Sequence, residues 1–300
     1  MPTRRSVLCL AGLAAMLACV PAQAQDKIRV VATFSILRDL VSNVGGDRVE
    51  VTALVGPNSD THVFSPTPAD AKTLAAARIV FVNGLGLEGW MTRLVNASGT
   101  KVPAVVASTG IKPRKMEDDH HPGRQVTDPH AWQSIANAKI YVANIRDGLS
   151  KADPAGQGAY EANAKAYLAR LDALEQEVKT AIGKIAADHR RIITTHDAFG
   201  YFGGAYGMEF ISPEGVSTDA QPSARDMAKI ITQIRKQKIP AVFMENLTDP
   251  RLMQQIAKET GAKIGGTLYS DALSDLNGPA ATYIDMMRNN IRELTKALTS

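Results

Sequence analysis

Six histidines stand in a chain of 300 residues, and three of them, His62, His130 and His196, share with Asp271 a place in or beside short polar turns. Imidazole nitrogens and a carboxylate oxygen are suitable donors for a divalent cation. The four residues are 68, 66 and 75 positions apart, so no two share a helical turn and only the tertiary fold can close a site from them. His62 ends the loop Gly56-Pro57-Asn58-Ser59-Asp60-Thr61-His62, His196 directly follows the strand-like Ile192-Ile193-Thr194-Thr195, and Asp271 follows Leu268-Tyr269-Ser270. Ligands of open α/β sheets bind beyond the carboxyl ends of strands, so these three share the functional edge. His130, in Asp128-Pro129-His130-Ala131-Trp132, precedes a helix but has no evident strand before it. Taken singly, each has a plainer reading as a hydrogen-bonded structural histidine or a helix-capping aspartate. Two from each half of the chain, at comparable positions, favour a shared metal site.

The elements that must position these residues read as α/β. Between Ile28 and Ser150, short β-branched runs alternate with amphipathic segments. Strands are expected at 28–33, 48–55 and 78–82, with a helix at 36–44 closed by Gly45-Gly46 and another opened by Thr67-Pro68-Ala69-Asp70, where Thr67 caps and Pro68 suits the first helical position. From Asp153-Pro154 onwards the pattern changes: Tyr160, Ala164, Tyr167, Leu171, Leu174, Val178, Ala181 and Ile185 recur at steps of 4 and 3, one apolar seam on one long helix. Roughly 33 residues would span about 50 Å. Such a helix suits either half of a coiled-coil dimer or a spine between two α/β blocks, and the blocks on both sides favour the spine. Beyond it, strands at 191–195, 241–244 and 263–268 alternate with helices at 223–236, 250–260 and 280–298. The expected architecture is therefore α/β, with two lobes (25–152 and 189–300), each a mainly parallel sheet flanked by helices, joined by one long rigid helix (153–188). The natural place for a ligand is the cleft between the lobes.

Residues 1–24 read as an export signal rather than as fold. Arg4 and Arg5 precede a 14-residue apolar run, Val7 to Val20, too short to span a bilayer, and Ala22-Gln23-Ala24 suits signal-peptidase cleavage after Ala24. Thr3-Arg4-Arg5-Ser6-Val7-Leu8 also fits a twin-arginine signal, and Met16-Leu17-Ala18-Cys19 an imperfect lipoprotein box. Without the leader, Lys+Arg falls from 34 to 32 against 30 Asp+Glu, a near-neutral balance with no basic, aromatic-interleaved stripe, so a nucleic-acid partner is not expected. Both cysteines, Cys9 and Cys19, lie in the leader, which excludes thiolate catalysis, Cys-type zinc clusters and iron–sulfur centres from a protein cleaved after Ala24. No phosphate-binding loop is present, and Gly84-Leu85-Gly86 and Gly203-Gly204 lack the rest of a dinucleotide fingerprint.

Four stretches together carry a resemblance: Asp60-Thr61-His62-Val63-Phe64-Ser65-Pro66-Thr67-Pro68, Asp128-Pro129-His130-Ala131-Trp132, Thr195-His196-Asp197-Ala198-Phe199-Gly200-Tyr201-Phe202 and Leu268-Tyr269-Ser270-Asp271. Through them the chain resembles the extracytoplasmic solute-binding proteins of ABC transporters for zinc and manganese. The resemblance implies two lobes on a rigid helix and metal ligands at His62, His130, His196 and Asp271. It also implies a periplasmic, non-enzymatic, monomeric carrier that hands its ion to an ABC permease in the cytoplasmic membrane. Manganese-type members have Glu where His196 stands. Three imidazoles and one carboxylate suit Zn²⁺ better than Mn²⁺, which prefers more oxygen. Zinc is therefore expected as the transported ligand, with manganese or ferrous iron as the alternative.

Other residues admit plainer roles. Glu117-Asp118-Asp119-His120-His121 resembles in miniature the His- and acid-rich loop of zinc-type relatives, but a solvated polar loop is the simpler reading. His189 is expected to face solvent or cap the long helix. Glu245, after the run Ala241 to Met244, could hydrogen-bond a ligand histidine or pair with a cation. A different functional class, a zinc hydrolase with Glu245 or Asp197 as base, lacks a His-Glu-x-x-His helix, and a fourth ligand at Asp271 would occupy the position a catalytic water needs. A surface adhesin or purely structural protein has no residue in its favour.

Overall fold

The computed structural model describes residues 26–117, 125–215, 217–218 and 223–299. The segment 1–24 expected to be an export signal, with Cys9 and Cys19, and Asp118 to His121 lie outside the described residues. The first lobe is built from β1 (Ile28–Phe34), α1 (Ser35–Gly45), β2 (Val49–Val55), α2 (Pro68–Ala76), β3 (Ile79–Val82), α3 (Met91–Ser98) and β4 (Ala104–Val106). Its sheet runs β2-β1-β3-β4, all parallel. A small antiparallel hairpin, β5 (Lys115–Glu117) with β6 (Gln125–Thr127), leads to α4 (Ile135–Ala152), and α5 (Gln157–Gly183) follows. The second lobe comprises β7 (Arg191–Ile193), α6 (Gly200–Tyr206), β8 (Glu209–Ile211), α7 (Ala224–Gln237), β9 (Ala241–Glu245), α8 (Pro250–Thr260), β10 (Lys263–Leu268) and α9 (Tyr283–Leu298). Its sheet, β10-β9-β7-β8, is also all parallel and repeats the strand order of the first. In both, the second strand lies on one side of the first and the later strands on the other. That reversal opens a crevice at the carboxyl ends of the strands.

Local chemistry explains the helix starts. At α2 the Asp70 amide donates to Thr67 Oγ1 at 3.4 Å while the Thr67 amide donates to Asp70 Oδ2 at 2.7 Å, a reciprocal cap that satisfies two free donors. Ser223, Asp249 and Thr282 accept from the first turns of α7, α8 and α9. Gly46 and Gly261 take positive φ where α1 and α8 end.

The spine differs from its sequence reading at both ends. Residues 154–156 form a separate 3₁₀ turn, because the Asp153 carboxylate is engaged by Arg48 at 2.8 Å and by the Tyr160 hydroxyl at 2.7 Å instead of capping the helix. The α-helix thus holds 27 residues, about 40 Å, not 33. Its buried seam is Tyr160, Ala164, Tyr167, Leu171, Leu174, Val178 and Ile182; Ala181 is only partly buried. At 3.6 residues per turn, Ile182 stays closer than Ala181 to the azimuth of Tyr160 and Val178. The helix packs on α1, α4, α6 and α9, that is, on elements of both lobes. One apolar core runs through both lobes and the spine, and a smaller one lies under α7 and α8. The last helix begins at Tyr283, after its Thr282 cap, rather than at 280. His189 is half-buried, and its Nδ1 donates to the Leu298 carbonyl at 3.1 Å, at the C-terminal end of α9. No described helix is long and apolar enough to cross a membrane.

Candidate metal centre

His62 lies on the loop between β2 and α2, and its approach is fixed by Asp60, whose Oδ1 accepts the His62 amide at 2.8 Å. The other oxygen of Asp60 accepts from Thr218 in the second lobe at 2.5 Å. His130 is held the same way: Asp128 Oδ1 accepts both the His130 amide and its ring Nδ1, each at 2.9 Å. Asp128 Oδ2 in turn meets Arg114 at 3.1 Å, and the Arg114 amide donates to the Tyr201 hydroxyl at 2.8 Å. The strand that sequence reasoning could not find before His130 is β6, part of the hairpin and not of the lobe sheet. After His130, Trp132 Nε1 and Gln133 Nε2 both donate to the Ser270 carbonyl, at 2.9 and 2.8 Å, which draws this segment against the second lobe.

His196 follows β7. Glu245, the last residue of β9, accepts the Thr195 and His196 amides on Oε1 at 2.8 and 2.9 Å, and its Oε2 is in ion-pair contact with His196 Nδ1 at 2.7 Å. Asp271 is set by α9: Asn290 donates to the Tyr269 carbonyl at 2.8 Å and accepts the Tyr269 amide at 2.9 Å, two residues upstream. The same helix reaches the His130 segment, since the Tyr283 hydroxyl donates to the Trp132 carbonyl at 2.7 Å.

These supports bring the four sequence-selected residues together. One ligand atom from each of His62, His130, His196 and Asp271 lies within 4.8 Å of all the others. His62 Nε2 is 3.2 Å from His130 Nε2 and 3.2 Å from Asp271 Oδ2, His196 Nε2 is 3.1 Å from Asp271 Oδ2, and His130 Nε2 is 3.5 Å from Asp271 Oδ1. These four separations are close to the edge of about 3.3 Å that four donors have around one ion at about 2.0 Å, the length of a zinc–nitrogen or zinc–oxygen bond, and the whole set stays within 4.8 Å. Carboxylates on Nδ1 of His130 and His196 leave both Nε2 atoms facing the centre, an orientation that buried metal-ligand histidines commonly receive from such partners.

The electrostatics are those of a buried, tightly coupled group. Burial pulls the His130 imidazole down, but the charges of Asp271 and Asp128 outweigh it and push it up to about 9. His196 is likewise raised, again against burial, by Glu245 and Asp271. The two histidines overcome the burial of Asp271 and hold its carboxyl well below the usual range. Asp271 Oδ1 is buried and has no hydrogen-bond partner, a group that costs free energy unless something else meets it. A divalent cation at the centre would do so.

Sequence reasoning missed the clamp function of Asp60 and Asp128. A signal existed: both ligand histidines of the first lobe stand in Asp-x-His, and an aspartate that accepts the amide two residues on makes an Asx turn. Also unread was Glu88, buried and therefore raised, which accepts from Thr33 Oγ1 and the Asn83 and Gly84 amides at 2.7, 2.6 and 3.1 Å. Asp197 stays outside the cluster; its carboxyl is raised by burial, and its amide donates to the Gly215 carbonyl. Glu245 accepts two backbone amides on Oε1 and faces His196 Nδ1 with Oε2, on the side of that imidazole away from Nε2.

Comparison with known proteins agrees with this arrangement. Residues 30–297 match the family described as zinc-uptake complex component A, periplasmic. The chain is 34% identical over 276 residues to the iron-binding protein YfeA of Yersinia pestis, covering 92% of this chain and 88% of that one. It is 33% identical over 275 residues to the manganese-binding lipoprotein MntA of Halalkalibacterium halodurans, covering 91% and 89%. Among solved structures, the periplasmic zinc-binding protein TroA from Treponema pallidum superposes with a TM-score of 0.84 at 30% identity, covering 91% of this chain and all of that one. These are substrate-binding proteins and not enzymes, which removes the hydrolase alternative with Glu245 or Asp197 as base. The chain belongs to the zinc-uptake component A family, the metal-binding periplasmic substrate-binding proteins of ABC transporters.

Proposed function

We propose that the protein captures one Zn²⁺ between its lobes, on His62, His130, His196 and Asp271, and releases it to an ABC permease in the cytoplasmic membrane. The observation that carries this reading is the buried cluster of three imidazoles and one carboxylate, whose ligand atoms all lie within 4.8 Å of one another. Such a set fits a small tetrahedral borderline cation. Iron and manganese in the names of YfeA and MntA support a second reading, in which the same site carries Mn²⁺ or Fe²⁺. Competition with a calibrated chelator, run for all three ions on metal-stripped protein, separates them. Zinc is expected at one ion per chain and at least a hundredfold tighter than manganese, in line with nitrogen-rich sites generally. Manganese within tenfold of zinc would favour the second reading, and two equal tight sites would overturn the single centre.

The carrier works outside the cytoplasmic membrane as a monomer, and light scattering of the mature protein checks the latter. The lipoprotein name of MntA supports acylation at Cys19 over plain cleavage after Ala24. The mass of the mature N-terminus distinguishes the two routes.

A further inference from the structure

We propose that the ion reaches and leaves the centre through one cavity beside His62, and not by separation of the lobes. The inference depends on the carrier reading above. Of the four residues in the centre, three have side chains with no solvent exposure, while 6% of the His62 side chain remains exposed. That side chain lines a cavity of about 590 Å³ whose walls include Leu85 and Gly89 on one side and Thr127 and Pro129 on the other. Six waters occupy on the order of 200 Å³ in the liquid, so a hydrated divalent ion fits inside and sheds water against His62 rather than at the mouth.

Among the described residues, side chains also back the two inner histidines. Trp132 packs edge-on against His130 with ring centroids 5.3 Å apart, and Glu245 backs His196. Parting the lobes would break the bonds from Trp132 and Gln133 to Ser270, from the Leu273 amide to Ser35 Oγ, from the Asn58 amide to the Leu273 carbonyl, and from the Tyr283 amide to Asp39. It would also open the apolar core the lobes share.

The cavity wall, by contrast, is built to stay in place. Gly84, Leu85 and Gly86 run consecutively at φ 80°, 57° and 92°. For Leu85 this left-handed backbone is costly, so surrounding contacts must hold it. They do: Glu88 accepts the Asn83 and Gly84 amides, and Asn83 Nδ2 donates to the Pro129 carbonyl at 3.0 Å, which ties one wall to the other.

Gly89 offers the test, because a Cβ there meets nothing within 4 Å. Gly89→Trp should obstruct the cavity while all four residues of the centre stay unchanged, and Gly89→Ala should leave it open. Stopped-flow mixing of stripped protein with zinc chloride, and of loaded protein with excess chelator, gives both rates. For Gly89→Trp, association and dissociation should each slow at least tenfold while their ratio stays within about twofold of the parent; Gly89→Ala should match the parent. Thr127→Trp, from the opposite wall, should repeat the effect and decides the matter if Gly89→Trp does not fold. Unchanged rates in a folded tryptophan variant, or a loss of affinity with association unaltered, would overturn the proposed route. A parent that binds neither zinc nor manganese would instead overturn the carrier reading itself.

Discussion

Two of the four central side chains, His130 and His196, have a carboxylate on Nδ1, and the loss of such a group should differ from the loss of a donor. Asp271→Ala removes the only negative donor and opens a coordination position. The expected result is zinc held at least a hundredfold less tightly, about 2.7 kcal/mol, with faster exchange, as read by chelator competition. Asp128→Asn and Glu245→Gln leave all four donors in place but weaken the partners on His130 Nδ1 and His196 Nδ1. Their cost should be smaller, about 10–100-fold in affinity; a loss as large as that of Asp271→Ala would mean that the histidines no longer point inward. Asp39 carries a pH effect. Burial raises its carboxyl to about 6, against the opposing Tyr283 amide and Arg170. An acid raised on folding is ionised more readily in the unfolded chain, so stability is greatest below the ordinary carboxyl range and is lost as pH rises through 6. Asp39→Asn keeps an acceptor for Tyr283, and in urea melts it should exceed the parent by about 1–2 kcal/mol at pH 8, with the gain shrinking towards pH 5. His62, His196 and Asp271 were legible in the sequence because they stand in loops beside strand-like runs, whereas His130 became so only through the motif resemblance. Their orienting partners were not, since the bond between Glu245 and His196 spans 49 positions and nothing local announces it.

At the scale of elements, local chemistry made most helices readable. Thr67, Ser223, Asp249 and Gly261 mark their boundaries in the structure as their types suggest. The hairpin of β5 and β6 escaped because three-residue strands cannot show an alternation. The start of α5 escaped because tertiary partners, Arg48 above all, took the Asp153 side chain that would have capped it. The seam of that helix is the firmest prediction at this scale. Leu174→Ala, at a fully buried position, should cost about 2–5 kcal/mol in denaturant melts. Ala181→Gln, on the partly buried flank, should cost under about 1 kcal/mol, whereas Ile182→Gln should cost several times more. Equal effects at 181 and 182 would restore the seam read from the sequence.

The whole molecule has one main core where two separable lobes might have had two. Stripped protein should therefore unfold in a single cooperative transition by calorimetry, and two well-separated transitions would contradict the shared core. Zinc at a thousand times its dissociation constant should add about 4 kcal/mol and raise the transition temperature by roughly 8–15 °C. The position of α9 carries a consequence for how the protein is made. This helix comes last in the chain, yet it lies against α1, α5 and β10, it orients Asp271 through Asn290, and its first residue bonds Asp39 in the opposite lobe. A nascent chain that has not yet produced α9 has neither a closed core nor a finished ion site. Such a chain stays pliable until its synthesis is almost complete, so the last helix decides when the molecule becomes rigid.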